Sequence, residues 1–326
     1  STATYKVTKI VDSIPVTLPD PPTPPVPEAE FSDSPDPPQL LSNRRSGQEP
    51  PSEDPVWSQL ASEAQSQASG EPLLVSFLYS TILNHNSLES ALAFHLANRL
   101  ASPSMISTQV QSLILSAFAA SPSISTAIRA DILAVASRDP ACTSLVDVVL
   151  YFKGFHALVT QRVARHLWHT GKENIASYLQ SQMSQVFQID IHPGASLGSG
   201  IMLDHGTGIV IGETAVVGDN CSILHHVTLG GSGKKDVDRH PKIGNGVLIG
   251  AGCSVLGNIR VGDNVQIGAG SLVISPIPQD SVVVGVPAKV IGTIKRNEER
   301  DEEEDSPAEL MRQNVMEICE NNQFNI

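Results

Sequence analysis

Apolar residues recur at every sixth position along the second half of the chain. The series runs through Ile191, Leu197, Leu203, Ile209, Ala215, Cys221 and Val227 and, after a ten-residue insertion, through Ile243, Ile249, Val255, Val261, Ile267 and Val273. Glycine directly follows several of these positions, where a missing Cβ lets the chain turn a corner without a clash. One inward aliphatic residue per hexad fills a narrow triangular prism, and coils of three hexads stack about 4.8 Å apart through parallel backbone hydrogen bonds. The hexapeptide repeat therefore predicts a left-handed parallel β-helix over residues 189–292.

The residues before this repeat show helical rather than hexad spacing. Between 55 and 188 the apolar positions recur every three or four residues, as on one face of an α-helix. Asn86, with Glu89 three residues later, predicts an N-cap and its capping-box partner, and Ser107 predicts a second cap. A longer helix is expected over 149–168, closed by Gly171. The fold class is therefore α+β, with an all-helical N-terminal domain of about six helices, suited to oligomerisation, followed by the β-helix.

The two ends lack both patterns. Residues 1–54 hold 12 of the 23 prolines and nine acidic residues against four basic ones, which predicts an extended, disordered acidic tail. Residues 293–326 open with the charge run at 295–305, which predicts a solvated linker and a terminal tail. Because the first segment has no apolar signal region and is too acidic for a transit peptide, we expect a cytoplasmic protein.

Charge and cysteine content exclude several classes of protein. The chain has 21 Lys and Arg against 34 Asp and Glu, a formal charge of −13, which argues against binding nucleic acid. No apolar run approaches the roughly 18 residues of a membrane-spanning helix, so no membrane association is expected. The four cysteines are scattered without a CxxC motif, which predicts free thiols and neither a disulfide framework nor a structural metal site.

The break in the hexad series is the expected place for chemistry. A solenoid accommodates extra residues as an outward loop, and this one is rich in glycine and charge. Asp190 precedes His205 by 15 residues, so with roughly 18 residues per coil the two can be neighbours on adjacent coils. An Asp that fixes the tautomer of an imidazole makes the other ring nitrogen a better general base. Equally, His205 can be an ordinary surface residue, and His225 and His226 can be metal ligands or plain coil residues, although no clear trio of histidines recurs.

Several motifs together resemble the serine O-acetyltransferases. They are RDPAC (138–142), YFKGFHAL (151–158), LDHGTG (203–208), GETAVVG (212–218), VTLGGSGK (227–234), DRHPKIG (238–244) and GVPAKVIG (285–292). The resemblance covers about 54–292, and other hexapeptide acyltransferases share the prism without this combination. It implies acetyl transfer from acetyl-CoA, as co-substrate without a metal, to the hydroxyl of L-serine. It also implies a homotrimer or a dimer of trimers, with sites between neighbouring prisms.

The resemblance assigns a role to each matching position. It implies that His205 is the general base and Asp190 its orienting partner. The implied serine-binding residues are Asp139 and Asp204 for the ammonium group and Arg239 and His240 for the carboxylate. The implied coenzyme A residues are Gly231, Ser232, Ala251, Ala269 and Lys289. Ser232 stands where many relatives have Thr, and the segment 144–150 departs from the commoner pattern beside Asp139.

The C-terminal residue carries a separate expectation. In the family a terminal Ile docks into the active site of O-acetylserine (thiol) lyase, so Ile326 is the implied contact for that partner. An ordinary disordered end is the alternative. Two other functions stay open at this point: a catalytically weak regulatory subunit that binds the lyase, and an acetyltransferase for another hydroxyl, such as that of a sugar.

Overall fold

The computed structural model describes residues 54–233 and 237–294, which all belong to one compact unit that begins at Ser52. Its first part is helical. The helices are α1 (Pro55–Gly70), α2 (Val75–Leu78), α3 (Leu88–Leu100), α4 (Ser107–Ala120), α5 (Pro122–Arg138), α6 (Leu145–Tyr151), α7 (Lys153–His169) and α8 (Glu173–Phe187). A 3₁₀ turn (Pro72–Leu74) precedes α2, and a π-helical turn (Tyr79–Leu83) follows it. Among the described residues no single helix is long and apolar enough to cross a membrane. Helices α4 and α5, which are bent by 100° relative to each other, have together the length and the composition of such a helix.

The helix boundaries correct three of the sequence predictions. The N-cap of α3 is Ser87, whose hydroxyl accepts from the Ser90 amide at 3.3 Å, rather than Asn86. Ser107 is the first residue of α4 rather than its cap. The long helix expected over 149–168 is two helices, because Phe152 between them is extended (φ −82°, ψ 102°). The apolar spacing runs through this break because the helices on both sides of it are largely buried.

The second part of the described chain is a prism of short strands. The strands are β1 (Asp190–Ile191), β2 (Ser196–Leu197), β3 (Met202–Leu203), β4 (Val210–Ile211), β5 (Val216–Val217), β6 (Ser222–Ile223), β7 (Thr228–Gly230), β8 (Lys242–Ile243), β9 (Leu248–Ile249), β10 (Ser254–Leu256), β11 (Arg260–Val261), β12 (Gln266–Ile267), β13 (Leu272–Val273), β14 (Ser281–Gly285) and β15 (Ala288–Thr293). They form three parallel sheets, in the orders β1-β4-β7-β10-β13, β2-β5-β8-β11 and β3-β6-β9-β12-β14, and β15 closes the last sheet antiparallel to β14. This is the predicted left-handed parallel β-helix.

The hexad frame itself shifts where the sequence predicts an unbroken series. Ile191 pairs with Ile211, twenty residues later, whereas Ile211 pairs with Leu229 after the regular eighteen. The first coil thus contains two extra residues, and the later insertion has eight extra residues rather than ten. The shift is invisible in the apolar pattern because residues two positions before each hexad start, such as Ile209 and Cys221, are also fully buried.

Helices α5 and α7 are fastened to the first coil by cationic side chains. Arg162 of α7 forms a bidentate ion pair with the fully buried Asp131 of α5, and Asp131 also accepts from the Ile201 amide at 2.9 Å. Arg162, Arg165 and Arg138 donate to backbone carbonyls of the coil between Gly194 and Gly200. The ends of the two helices are therefore held against the coil that carries His205.

Candidate active site

The two extra residues of the first coil fall between β3 and β4. Residues 204–208 form a bulge there, and this bulge presents His205. The residue takes a left-handed backbone conformation (φ 55°), and 74% of its side chain is exposed. Its Nε2 lies 3.9 Å from Oδ1 of Asp204. Burial raises the pKa of Asp204, the His205 imidazole opposes that rise, and the negative charge of Asp139 adds to it. Asp139, which follows α5, thus lies near enough to Asp204 to act on its charge, and the structure brings this predicted pair together beside the histidine.

Asp190 accepts a hydrogen bond from a neighbouring helix. Its Oδ1 accepts a hydrogen bond from Nε2 of Gln180 on α8 at 2.7 Å. Within the described ranges no hydrogen bond or ion pair joins Asp190 to His205. The His205 imidazole has its ion-pair contact with Asp204 instead, at 3.9 Å. The predicted proximity requires a coil of eighteen residues, and the bulge adds two. The Asp190–His205 dyad therefore stays a prediction.

Arg239 and His240 lie together at the base of the long loop. Arg239 donates from Nη2 to Oε2 of Glu213 at 2.9 Å. His240 is buried, and its Nδ1 lies 2.9 Å from the hydroxyl of Thr214. Burial lowers the pKa of His240, and the adjacent Arg239 charge lowers it further, which favours a neutral ring. No hydrogen bond or ion pair among the described residues links this group to Asp139, Asp204 or His205.

A column of corner positions runs from His205 along the prism. The strand registers align His205 with His225, then with Ala251 and Ala269 in the next two coils. The His205 and His225 rings meet edge to face with centroids 5.6 Å apart, and His225 meets His226 in the same way. In the described part of the chain Nδ1 of His225 is buried without a hydrogen-bond partner. The two alanines thus follow the histidines as small residues on one edge.

The remaining predicted coenzyme A positions are exposed. Gly231 and Ser232 open the long loop, and the Ser232 amide donates to the Arg239 carbonyl at 3.1 Å. Lys289 lies on β15, next to the end of the prism. Residues 234–236 of the loop and Ile326 lie outside the described residues. The prediction for Ile326 therefore stands as the sequence left it.

Three contacts add residues that the sequence argument did not select. Glu213 bonds Arg239, Gln180 bonds Asp190, and the His225 ring meets the His205 ring edge to face. Counting along regular coils could not align His225 with His205, because that alignment depends on the two extra residues. Gln180 gives no sequence signal because it is one of several glutamines on an amphipathic helix.

The comparisons with known proteins agree with one another. Residues 56–160 match the family model "Serine acetyltransferase, N-terminal", and residues 240–275 match "Bacterial transferase hexapeptide (six repeats)". The chain is 53% identical over 237 residues to probable serine acetyltransferase 1 of Oryza sativa subsp. japonica, covering 73% of this chain and 78% of the relative.

Two solved structures have a similar fold and similar sequences. Soybean serine acetyltransferase complexed with serine has a TM-score of 0.71 at 51% identity, covering 72% of this chain and 97% of that one. Serine acetyltransferase from Brucella abortus strain S19 in complex with coenzyme A has a TM-score of 0.73 at 50% identity, covering 74% and 97%.

Proposed function

This chain belongs to the serine acetyltransferase family, and we propose that it transfers the acetyl group of acetyl-CoA to the hydroxyl of L-serine with His205 as the general base. The products are O-acetyl-L-serine and coenzyme A. The observation that carries the mechanism is the exposed His205 imidazole beside the carboxylates Asp204 and Asp139. The similar soybean enzyme in complex with serine and the similar Brucella enzyme in complex with coenzyme A support this choice of substrates.

Asp139 and Asp204 are the proposed site for the serine ammonium group. Two nearby carboxylates repel each other, and the raised pKa of the partly buried Asp204 reflects burial together with the charge of Asp139. A bound ammonium ion relieves that repulsion and stabilises both carboxylates in their charged form. A substrate amino group would therefore lie next to His205, which places the serine hydroxyl within reach of the imidazole.

Arg239 and His240 are the proposed site for the serine carboxylate. A guanidinium group recognises a carboxylate through two parallel hydrogen bonds, and the Glu213 contact fixes its orientation. Because this group has no contact with His205 within the described chain, we propose that neighbouring prisms of a homotrimer complete the site. Glu213 is then a positioning residue, since it acts through Arg239.

The chemistry requires one base and an oxyanion donor. His205 removes the serine hydroxyl proton as the oxygen attacks the thioester carbonyl, which is worth roughly 10²–10⁴-fold in rate. The tetrahedral oxyanion receives hydrogen bonds from peptide N–H groups of the coil edge and from the His225 imidazole, whose ring meets that of the base edge to face. The carbon–sulfur bond then breaks, and coenzyme A leaves as a thiolate, which is a good leaving group because free thiols have pKa values near ~8.5. Asp190 is retained as the proposed orienting partner of His205.

The pantetheine arm is proposed to follow the column that leads to His205. Ala251 and Ala269 present little side chain there, so an extended arm can lie against the prism. Gly231 and Ser232 offer peptide groups from the loop, and Lys289 offers a positive charge for the phosphates. The thioester at the end of such an arm would arrive beside His225.

Thiol release from acetyl-CoA tests this proposal. We expect rapid release that depends on L-serine and falls by roughly 10²–10⁴-fold in His205→Ala. The control is His169→Ala, which changes an exposed histidine at the end of α7 and should leave the rate unchanged. Serine-dependent release that survives in His205→Ala would refute the base assignment. Thiol release that requires a sugar in place of L-serine would refute the proposal that L-serine is the acceptor.

The proposed partner is O-acetylserine (thiol) lyase, bound through Ile326. The free carboxylate and branched side chain of this residue resemble an amino-acid substrate. Deleting Ile326 should abolish capture of the lyase while leaving serine-dependent thiol release intact, and unchanged capture would refute the role. A chain that captures the lyase but releases no thiol with L-serine would be a regulatory subunit instead. The cytoplasmic location stays a prediction.

A further inference from the structure

The bulge that carries His205 is bonded to its surroundings at Asp204, Thr207 and Gly208, through the Ile223 carbonyl, the His226 amide and the Gln188 carbonyl. Gly206 and Thr207 donate their amides to carbonyls within the bulge, at Asp204 and His205. Three of its residues, His205, Gly206 and Gly208, have positive φ. Within the described chain, the hydrogen bonds of the His205 and Gly206 peptide groups stay within the bulge and the residue directly after it. The position of the imidazole therefore depends in part on what packs against the bulge from outside.

The first turn of α7 is the element that packs there. A Cβ built on Gly154 would lie 2.0 Å from the carbonyl oxygen of Leu203, and one built on Gly206 would lie 3.4 Å from the Cα of Gly154. The two backbones are thus in direct contact, with glycine at both positions. Lys153, immediately before Gly154, donates a short hydrogen bond from Nζ to the hydroxyl of Thr207. Lys153 is half-buried and makes this contact two residues beyond His205.

We propose that Lys153 is a positioning residue for His205, acting through Thr207. The ammonium group ties the far side of the bulge to α7, and Arg162 and Arg165 hold α7 on the same coil. Loss of the tie removes the side-chain contact between α7 and the bulge and leaves only backbone hydrogen bonds within the described chain to hold it, so the imidazole samples positions away from the serine hydroxyl. The inference rests on the proposed role of His205 as the base. Lys153 touches neither the imidazole nor the proposed serine carboxylate site.

The test compares Lys153→Met, Thr207→Val and the double variant in the full-length chain. Met is an unbranched side chain one atom shorter than Lys, without the ammonium group, and Val keeps the shape of Thr. We expect each single change to lower kcat roughly tenfold, because a shift of about 1 Å at a reacting group costs up to 10²-fold. KM for serine and for acetyl-CoA should change less than about twofold. The double variant should be no slower than either single one, because all three lack the same hydrogen bond.

Two further variants separate positioning from general structure. Lys153→Arg should recover most of the lost kcat, because it can donate to the same hydroxyl, and Lys172→Met, at an exposed position before α8, should match the wild type. Wild-type kcat in Thr207→Val, or losses that multiply in the double variant, would overturn the inference. If Lys153→Met does not fold, Thr207→Val decides alone.

A wrong assignment of Lys153 as a positioning residue can be distinguished from a wrong assignment of His205 as the base. In a His205→Ala background, Lys153→Met should cause no further loss of the residual rate. A fast His205→Ala enzyme would remove the base assignment and, with it, this inference. An inactive His205→Ala together with a fully active Lys153→Met would overturn the positioning role alone.

Discussion

A single methyl group at Gly154 measures how tightly the helical part of the chain controls the bulge. In Gly154→Ala the new Cβ would lie 2.0 Å from the Leu203 carbonyl oxygen, and side-chain carbons essentially never come within 3.0 Å of such an atom. Either α7 or the bulge must therefore move by at least 1.0 Å. Because Arg162 and Asp131 hold α7, we expect the bulge to take up much of the shift. Overpacking of this kind costs about 1–3 kcal/mol of stability, and displacement of His205 costs up to ~100-fold in kcat.

The assay is serine-dependent thiol release per folded molecule, together with thermal unfolding. The matched control is Gly70→Ala at the end of α1, where an added Cβ meets nothing within 4 Å, so its kcat and stability should not fall. A Gly154→Ala enzyme with wild-type kcat and wild-type stability would refute the reasoning, since the methyl group cannot be placed unless α7 or the bulge moves. A loss of stability alone would show that α7 moves and the bulge does not.

Three other predictions concern the carboxylate site, the buried ion pair and acid stability. Glu213→Gln should raise KM for serine in steady-state kinetics, with a smaller effect on KM for acetyl-CoA, because Arg239 loses its orienting ion pair. An unchanged KM for serine would argue against a positioning role for Glu213. Asp131→Ala should lower the free energy of unfolding by about 3–5 kcal/mol in denaturant titration, because it leaves the buried Arg162 unpaired. Burial lowers the pKa of His95 to about 4 in the folded protein, from 6.5 for an ordinary histidine. As the pH falls, His95 therefore takes up its proton first in the unfolded chain, and the folded state loses stability below pH 6.5. Between pH 7 and pH 5, His95→Phe should therefore lose about 2 kcal/mol less stability than the wild type, and equal losses would contradict the assignment.

The interior of the prism follows from a local rule. Each hexad contributes one aliphatic residue to a core that is only as wide as three such side chains, so the repeat is visible in sequence and predicts the fold. The same narrowness hides the frame shift, because Ile209 and Cys221, two positions before the true hexad starts, are equally buried. A count based on the apolar pattern therefore misses the two residues that create the bulge.

The helical part shows the same limit in another form. Apolar spacing predicts that 149–168 is helical but not that Phe152 divides it. The division places Gly154 at the start of α7, against the Leu203 carbonyl, and that contact joins segments about fifty residues apart. Local propensity contains no information about a partner at such a distance.

The sequence by itself determined the repeat, the helical region before it, the family resemblance and the candidate residue types. Only the tertiary structure decided which side chains meet. Asp139 comes to act on Asp204, and Lys153 bonds Thr207, because α5 and α7 pack on one coil. Gln180 of α8 donates to Asp190 because that helix packs beside β1. The physical reason is that repeat and helix patterns record burial within one element, whereas the site is made of polar contacts between elements, which leave no periodic trace.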